Sequence, residues 1–417
     1  MFPDLDRRAK SLPDNNQKSK LYYGYILVAV CFFIMLIVFG SQMSFGVFFK
    51  PMLADFGWTR AATSGPFSLS LVILGVFGFI SGQLSDRFNP KIIISIGAVI
   101  LGTGYILTSR ITSLWQFYLF YGVLTAIGTG SVYIPLVSMI ARWFGKRRGL
   151  MAGIAISGIG LGVAVMPPIA SQLIINFNWR DSLLILGVVN VGALLITAQF
   201  LKSKPEHIGP PDVNGNSHQL SSDKVKEFSF KEVIKTQPFW IFFVTWMVYG
   251  FFFHVGSVHT VPYATDLGMT ATAAAGVMTV IGILGTVGRV GLGFGGDRFG
   301  NKTMIFTSVV LLGLGYLGMV ISDSRATLYA FAVAYGCTSG FGILLAPLSA
   351  EYFGMESLGA ITGAIAFANA VGAAVGPTMA GFIYDTTGSY RIAFLICALL
   401  ALVASVLFWV LKPAKHV

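Results

Sequence analysis

Long apolar runs alternate with short polar segments along almost the whole chain. A helix needs about 20 mostly apolar residues to cross the ~30 Å hydrocarbon core of a bilayer. Twelve runs meet this requirement, at 22–49, 59–83, 92–110, 113–141, 149–175, 182–201, 238–265, 269–294, 303–322, 326–350, 358–384 and 391–411. The pattern therefore predicts an all-α integral membrane protein with twelve transmembrane helices.

One long polar stretch divides these runs into two sets of six. Residues 202–237 are rich in Pro, Gly, Ser, Asn and charged residues, a composition typical of a linker. The predicted organisation is an N-tail at 1–21, a six-helix bundle at 22–201, a linker at 202–237, a second six-helix bundle at 238–411 and a C-tail at 412–417.

The two sets are related by an internal repeat. The segment GQLSDRFNPK at 82–91 returns as GFGGDRFGNK at 293–302, an offset of 211 residues. Glycines and a proline of the fifth run return in the eleventh at nearly the same offset. Two similar halves of equal topology predict a pseudo-twofold axis along the membrane normal, with a binding site at mid-depth between the halves. This arrangement is typical of a transporter.

Charge composition agrees with a lipid environment and predicts an orientation. Only 11% of the residues are charged, against ~25% in soluble proteins. If the N-terminus is inside, the cytoplasmic segments carry 21 of the 28 Lys and Arg residues, the opposite side carries 6, and Arg289 alone lies deep within a run. The positive-inside rule therefore predicts that both termini are cytoplasmic. Because the basic residues lie in gaps between apolar runs, the net charge of +11 does not indicate a nucleic-acid partner.

The duplicated loop and the six-plus-six plan resemble the major facilitator superfamily. Within it, the segment Gly46-Val-Phe-Phe-Lys50 that closes the first run, and the lone Arg289 of the eighth run, are similar to the monocarboxylate transporters. The resemblance implies alternating access in the plasma membrane by a protein that works as a monomer. It also implies symport of a proton with lactate, pyruvate or a related small monocarboxylate.

One position departs from that family. Many members carry an aspartate one helical turn before the arginine of the eighth run, where this chain has Gly285. The departure removes the family's usual partner for proton handling. An organic anion antiporter of the oxalate/formate exchanger type stays open as an alternative, although those proteins use a second buried cation in the eleventh run and this run has no Lys or Arg. An exporter of another small solute is also open.

Arg289 is the first candidate for substrate binding. A charge near mid-bilayer costs ~2.5 kcal/mol or more, so it normally faces a cavity or a partner. A guanidinium binds a carboxylate through two parallel hydrogen bonds, which predicts a carboxylate clamp at Arg289. The alternative is a structural arginine that extends toward the loop at Asp297, ~12 Å away along the helix.

Three residues are candidates for proton coupling. His254 and His259 lie deep in the seventh run, and an imidazole titrates near neutral pH. His254 is nearer in depth to Arg289 and is also a candidate substrate ligand. The resemblance implies that Lys50 is a gate lysine, whereas a lysine at a membrane interface can also simply extend to water. The substrate's own carboxylic acid is a further proton carrier.

Tyr121, Tyr335 and Asn369 are polar groups in apolar surroundings, each able to bind a substrate oxygen or to hydrogen-bond a neighbouring helix. A different role is predicted for the charged pairs of the repeated loop. A carboxylate beside basic residues at a helix end can stabilise one conformation of a transporter. This conformational role applies to Asp86, Arg87, Asp297 and Arg298.

Other function classes find little support in the sequence. The three cysteines lie in apolar runs without CxxC spacing, so no metal site is predicted, and no nucleotide-binding motif, enzymatic pattern or cofactor site is recognised. A channel would favour rings of like charge from several subunits. A receptor would need a sizeable output domain, and the longest polar stretch is the linker.

Overall fold

The computed structural model describes residues 15–144, 148–202, 229–354 and 357–411. The predicted tails are therefore mostly outside the described residues, as is the linker between 203 and 228. The described chain is helical without strands, and twelve helices are long and apolar enough to cross a membrane. The predicted fold class is confirmed.

The twelve spans are numbered in chain order. Their bounds are Tyr23–Phe56, Arg60–Ser85, Pro90–Thr108, Leu114–Ile140, Met151–Phe177, Trp179–Gln199, Gln237–Asp266, Ala271–Phe299, Asn301–Ile321, Arg325–Phe353, Leu358–Thr387 and Arg391–Val410. These agree with the predicted runs to within a few residues, except at the end of span 1. There the helix continues through Pro51 to Phe56 and ends at Gly57, whose φ of +64° favours glycine.

Three spans are assembled from more than one helical segment. Span 1 joins Asn15–Met43 to Phe45–Phe56. Span 4 contains a π-helix at Tyr118–Thr125, and span 10 contains a 3₁₀ turn at Phe341–Leu344. A short helix at Phe230–Val233 precedes span 7. Such interruptions change the direction of side chains within a span.

Because consecutive spans alternate in direction, the two ends of the bundle can be named from the chain. Tyr23 and Val410 lie at the same end, which we call the proximal end. Spans 1, 7 and 11 finish at the opposite, distal end, where spans 2, 8 and 12 begin.

Close backbone contact at glycines holds equivalent helix pairs together in each half. In the first half, a Cβ at Gly162 of span 5 would clash with the carbonyl of Leu36 in span 1. In the second half, a Cβ at Gly372 of span 11 would clash with the carbonyl of Met247 in span 7. Lipid tails are as apolar as the helix surfaces, so close van der Waals packing of this kind is what favours helix association in a bilayer.

The two halves meet mainly in their distal parts. The Thr378 hydroxyl of span 11 donates to Ser68 of span 2 at 2.9 Å, and the Thr279 hydroxyl of span 8 donates to the carbonyl of Ala164 in span 5 at 2.8 Å. Proximal to Arg289, none of the described hydrogen bonds, ion pairs or glycine contacts joins the two halves. A Cβ added at any of four exposed glycines there would meet nothing within 4 Å, namely Gly75, Gly153, Gly291 and Gly359. The bundle is thus closed distally and open proximally.

Candidate transport site

Arg289 lies at mid-depth between the halves. Its Nη1 is 3.4 Å from the carbonyl of Gly285, a long contact, and no described acidic residue pairs with it. Tyr133 in span 4 and Tyr249 in span 7 lie near the guanidinium. A Cβ at Gly160 of span 5 would be 2.9 Å from Nη1, so the group also touches the first half. A largely desolvated guanidinium without a carboxylate can accept one from a ligand.

Gly285, where the family usually has an acid, is packed against span 10. A Cβ at this position would lie only 2.6 Å from the Ser339 hydroxyl oxygen. A side chain at residue 285 would therefore require the Ser339 hydroxyl to move in this conformation. The Ser339 hydroxyl is itself buried, and the described residues give it no hydrogen-bond partner.

An aromatic wall extends from Arg289 along span 7. Tyr249 stacks on Phe341 with ring centroids 4.1 Å apart and on Phe253 at 5.3 Å. Phe253 in turn stacks on Tyr335 at 4.6 Å. The Tyr335 hydroxyl donates to the carbonyl of Phe253 at 2.8 Å, so in this conformation Tyr335 joins spans 7 and 10.

His254 keeps one ring nitrogen available. Its Nδ1 is 2.9 Å from the carbonyl of Gly250, which can only accept, so Nδ1 carries the proton in the neutral ring. The Nε2 lone pair then has no partner among the described contacts. The ring is 5.4 Å from that of Phe253 and 6.5 Å from that of Phe67 in the first half. His254 can therefore accept a hydrogen bond or a proton between the halves.

His259 is held on both nitrogens instead. It is fully buried, and its Nε2 donates to the carbonyl of Pro377 in span 11 at 2.8 Å. Its Nδ1 accepts from the Tyr390 hydroxyl at 2.9 Å. Burial raises the pKa of Tyr390, which lies in the loop before span 12, so this hydroxyl stays protonated and can donate. The contacts fix a neutral His259 that joins spans 7 and 11.

Lys50 belongs to a charged cluster at the distal end. Its Nζ is 2.6 Å from Oδ1 of Asp266, at the end of span 7. Arg60, at the start of span 2, places Nη2 3.1 Å from Oδ2 of the same carboxylate and donates from Nη1 to Tyr390 at 2.5 Å. Asp385 accepts hydrogen bonds from the backbone nitrogens of Arg60 at 2.7 Å and Ala61 at 2.8 Å. We call Lys50, Arg60, Asp266, Asp385 and Tyr390 the distal gate.

Sequence reasoning missed most of this gate. Arg60, Asp266 and Asp385 each lie at the end of a span, where a charged side chain normally needs no explanation. The sequence did offer one signal for the gate, which is the sign of the charge that each half contributes. The first half supplies both cations and the second half supplies both carboxylates.

Tyr121 and Asn369 lie away from Arg289 in the described contacts. Tyr121 packs in the first half between Phe45, at 5.0 Å, and Phe117, at 5.6 Å, and the described residues provide no partner for its buried hydroxyl. The amide nitrogen of Asn369 donates to the carbonyl of Trp246 at 3.2 Å and so links spans 11 and 7.

The charged pairs of the repeated loop lie at the open proximal end. The side chain of Asp86 is outside the described residues, and Arg87 is exposed. Asp297 and Arg298 are exposed too, and none of the described ion pairs includes either of them. Arg298 instead packs over the ring of Phe299 at 5.6 Å. The predicted conformational role of these residues stays a prediction.

Comparison with known proteins agrees with this architecture. A sequence profile of the Major Facilitator Superfamily matches residues 31–349 and 292–417. Monocarboxylate transporter 12 of Mus musculus is 30% identical over 94% of this chain and 86% of its own length. Monocarboxylate transporter 13 of Bos taurus is 27% identical over 92% of this chain and 88% of its own length.

Solved structures show the same fold at low sequence identity. A bacterial homologue of the human lysosomal transporter Spinster superposes with a TM-score of 0.74 at 14% identity, covering 93% of this chain and 96% of its own. The nucleoside transporter NupG gives 0.75 at 14% identity, covering 93% and 99%. The chain is therefore a membrane transporter that belongs to the major facilitator superfamily and, within it, resembles the monocarboxylate transporters.

Proposed function

We propose that this protein is a proton-coupled symporter of a small monocarboxylate such as lactate or pyruvate, and that it works by alternating access in the plasma membrane. The excess of Lys and Arg at the proximal end supports a cytoplasmic position for that end. The distal end then faces outward, and the described conformation is inward-facing.

The observation that carries the proposal is Arg289 without a described acidic partner. It is a mid-depth cation, close to span 5 of one half and near Tyr133 and Tyr249. A bound carboxylate would neutralise it and receive two parallel hydrogen bonds. The adjoining Tyr249–Phe253 wall suits the short carbon chain of such a substrate.

A single carboxylate also fits the charge count. A dianion favours two buried cations, and a cationic solute favours buried acids. Among the described residues the centre of the bundle offers Arg289 alone. For the accompanying proton, the free Nε2 of His254 supports an acceptor between the halves, while Lys50 and His259 are already engaged.

The test is uptake of labelled lactate and pyruvate into proteoliposomes, with and without an inward proton gradient. Arg289→Gln should reduce uptake about 100-fold or more while leaving insertion unchanged, because the buried anion loses its counter-charge. Arg110→Gln, which changes an exposed arginine in the loop between spans 3 and 4, is the matched control and should transport normally.

Normal uptake by Arg289→Gln would refute the clamp. Uptake driven by internal oxalate or formate, and insensitive to the proton gradient, would instead identify an anion antiporter.

A further inference from the structure

Two aspartates at equivalent positions of the repeat have different partners. Asp55 and Asp266 correspond at the 211-residue offset. Asp55 accepts from Nη2 of Arg180 at 2.9 Å, within the first half. The equivalent arginine of the second half, Arg391, donates instead to the carbonyl of Val320 at 3.0 Å. Asp266 pairs across the boundary between the halves, with the two cations of the distal gate.

The half that supplies this cross-boundary aspartate also differs from the other half at two buried positions. At the same offset, His259 and Tyr390 correspond to Phe48 and Trp179, and all four side chains are buried. Burying a polar group costs free energy unless it is hydrogen-bonded. Because the first half fills the same positions with apolar rings, packing alone does not explain the polar pair of the second half.

The hydrogen bonds that lead from His259 to Arg60 run in one direction. The carbonyl of Pro377 can only accept, so it fixes the ring proton on Nε2 and leaves Nδ1 as an acceptor. The Tyr390 hydroxyl donates its only proton to this Nδ1 at 2.9 Å. The hydroxyl oxygen then presents lone pairs alone to Nη1 of Arg60, which donates to it at 2.5 Å. His259 therefore sets the orientation in which Tyr390 can receive Arg60.

Arg60 is the more deeply buried cation of the distal gate. It is only 8% exposed, whereas the Lys50 side chain is 34% exposed. Its Nη2 lies 3.1 Å from Oδ2 of Asp266, and its Cζ lies 3.5 Å above the ring of Tyr384. A buried donor that loses its acceptor costs more free energy than an exposed one, because water does not replace the acceptor. The hold of Arg60 on the second half therefore depends on the acceptor at Tyr390.

We propose that His259 is a positioning residue of the distal gate: its Nδ1 orients the Tyr390 hydroxyl as the acceptor that holds Arg60 against Asp266. In this role the ring stays neutral and acts through hydrogen bonds alone. Without the acceptor at Nδ1, the hydroxyl proton is free to turn toward Arg60, which weakens the contact and favours distal opening. The assignment of the distal side to the exterior rests on the proposed function, whereas the gate itself requires no particular substrate.

Two substitutions separate the roles of the two ring nitrogens. An asparagine places its carbonyl oxygen near the position of Nδ1, and a glutamine places its amide nitrogen near that of Nε2. His259→Asn should therefore keep the acceptor for Tyr390, while His259→Gln should keep the donor to Pro377 and lose that acceptor. Each variant loses one buried hydrogen bond, so both should melt at a lower temperature. Only His259→Gln should change the gate.

The experiment measures the distal distance between the halves without any substrate. Spin labels at Arg110→Cys and Ala326→Cys, exposed distal positions in opposite halves, report opening by double electron–electron resonance. The partly exposed Cys337 is removed by Cys337→Ser in every sample. The distally open fraction should rise about tenfold in His259→Gln, as expected for the loss of one buried acceptor, and stay near the wild-type value in His259→Asn.

A double-mutant cycle tests whether His259 acts through the Tyr390 hydroxyl. Tyr390→Phe should open the gate to a similar extent as His259→Gln, and the double variant should open it no further, because both changes remove the same contact to Arg60. Asp55→Asn is the matched control and should leave the distance unchanged, since its partner Arg180 lies in the same half.

Three results would overturn the proposal: equal opening in His259→Asn and His259→Gln, additive effects of His259→Gln and Tyr390→Phe, or comparable opening in Asp55→Asn. Equal opening in the first two variants would show that His259 serves only to join spans 7 and 11. Since no substrate is present, the measurement is separate from the uptake assay. The gate could fail this test in a protein that transports monocarboxylates, and it could pass in one that transports another solute.

Discussion

The two ends of the bundle differ in how their charges are used. At the distal end, Lys50 and Arg60 bind Asp266 across the boundary between the halves. At the proximal end, Asp297 and Arg298 are exposed and take part in none of the described ion pairs. A transporter that opens to one side at a time needs interactions that form at one end while those at the other end are broken. The contrast shows which charges stabilise the described conformation.

The largest effect is expected when the distal end is held closed permanently, so that the two ends can no longer alternate. Ser68→Cys with Thr378→Cys replaces two hydroxyls 2.9 Å apart, a separation suited to a disulfide between spans 2 and 11. Oxidation should abolish transport almost completely, because the distal side can no longer open. Uptake before and after treatment with a reductant measures the effect.

Each single cysteine variant is the control for this cross-link and should be insensitive to the oxidant. Cys31 and Cys397 are buried and Cys337 is partly exposed, so the single variants also control for a bond to a native cysteine. Full transport by the cross-linked double variant would show that spans 2 and 11 do not separate during the cycle.

An intermediate effect is expected from the two histidines of span 7. His259→Gln should lower the free energy of unfolding by about 1–3 kcal/mol, because one of its two buried partners, Tyr390 or Pro377, loses its hydrogen bond. His254→Gln should keep its stability and some substrate counterflow but lose proton-driven accumulation. Thermal melts and uphill uptake distinguish these outcomes.

If His259→Gln melted normally and His254→Gln still accumulated substrate, the different hydrogen bonding of the two rings would have no functional meaning. Accumulation retained by the double variant would assign the proton to Lys50 or to the substrate's own carboxylic acid.

The smallest effect should come from the proximal end. Asp297→Asn should slow turnover about two- to fivefold with little change in KM, since Asp297 has no described partner to lose in this conformation and acts only when the proximal end closes. Steady-state uptake over a range of substrate concentrations separates the two constants. A rise in KM at constant turnover would place Asp297 in substrate binding instead.

Hydrophobic patterning predicted the spans because a bilayer requires ~20 apolar residues for each crossing. The same reasoning located Arg289 inside span 8, and the resemblance to the monocarboxylate transporters indicated the departure at Gly285. It did not show that Ser339 occupies the space beside Gly285, because that depends on how span 10 packs against span 8.

The distal gate was beyond prediction for a related reason. The repeat alone would pair Asp266 with Arg391, by analogy with Asp55 and Arg180. In the structure Asp266 instead binds Lys50, and Arg391 donates to the carbonyl of Val320. His259 was predicted with His254 as a proton carrier, yet its two hydrogen bonds follow from span 11 and the loop before span 12. Contacts between distant segments, unlike the spans, leave no local pattern in the sequence.

The division of sign at the distal gate also shows where the duplicated halves have diverged. Asp55 stands at the position equivalent to Asp266, so both halves carry an aspartate there. The positions equivalent to Lys50 and Arg60 at the same 211-residue offset are Val261 and Ala271, so only the first half carries the two cations. Two copies of the second half, joined as a symmetric dimer, would therefore have the aspartates of this gate without the cations that bind them.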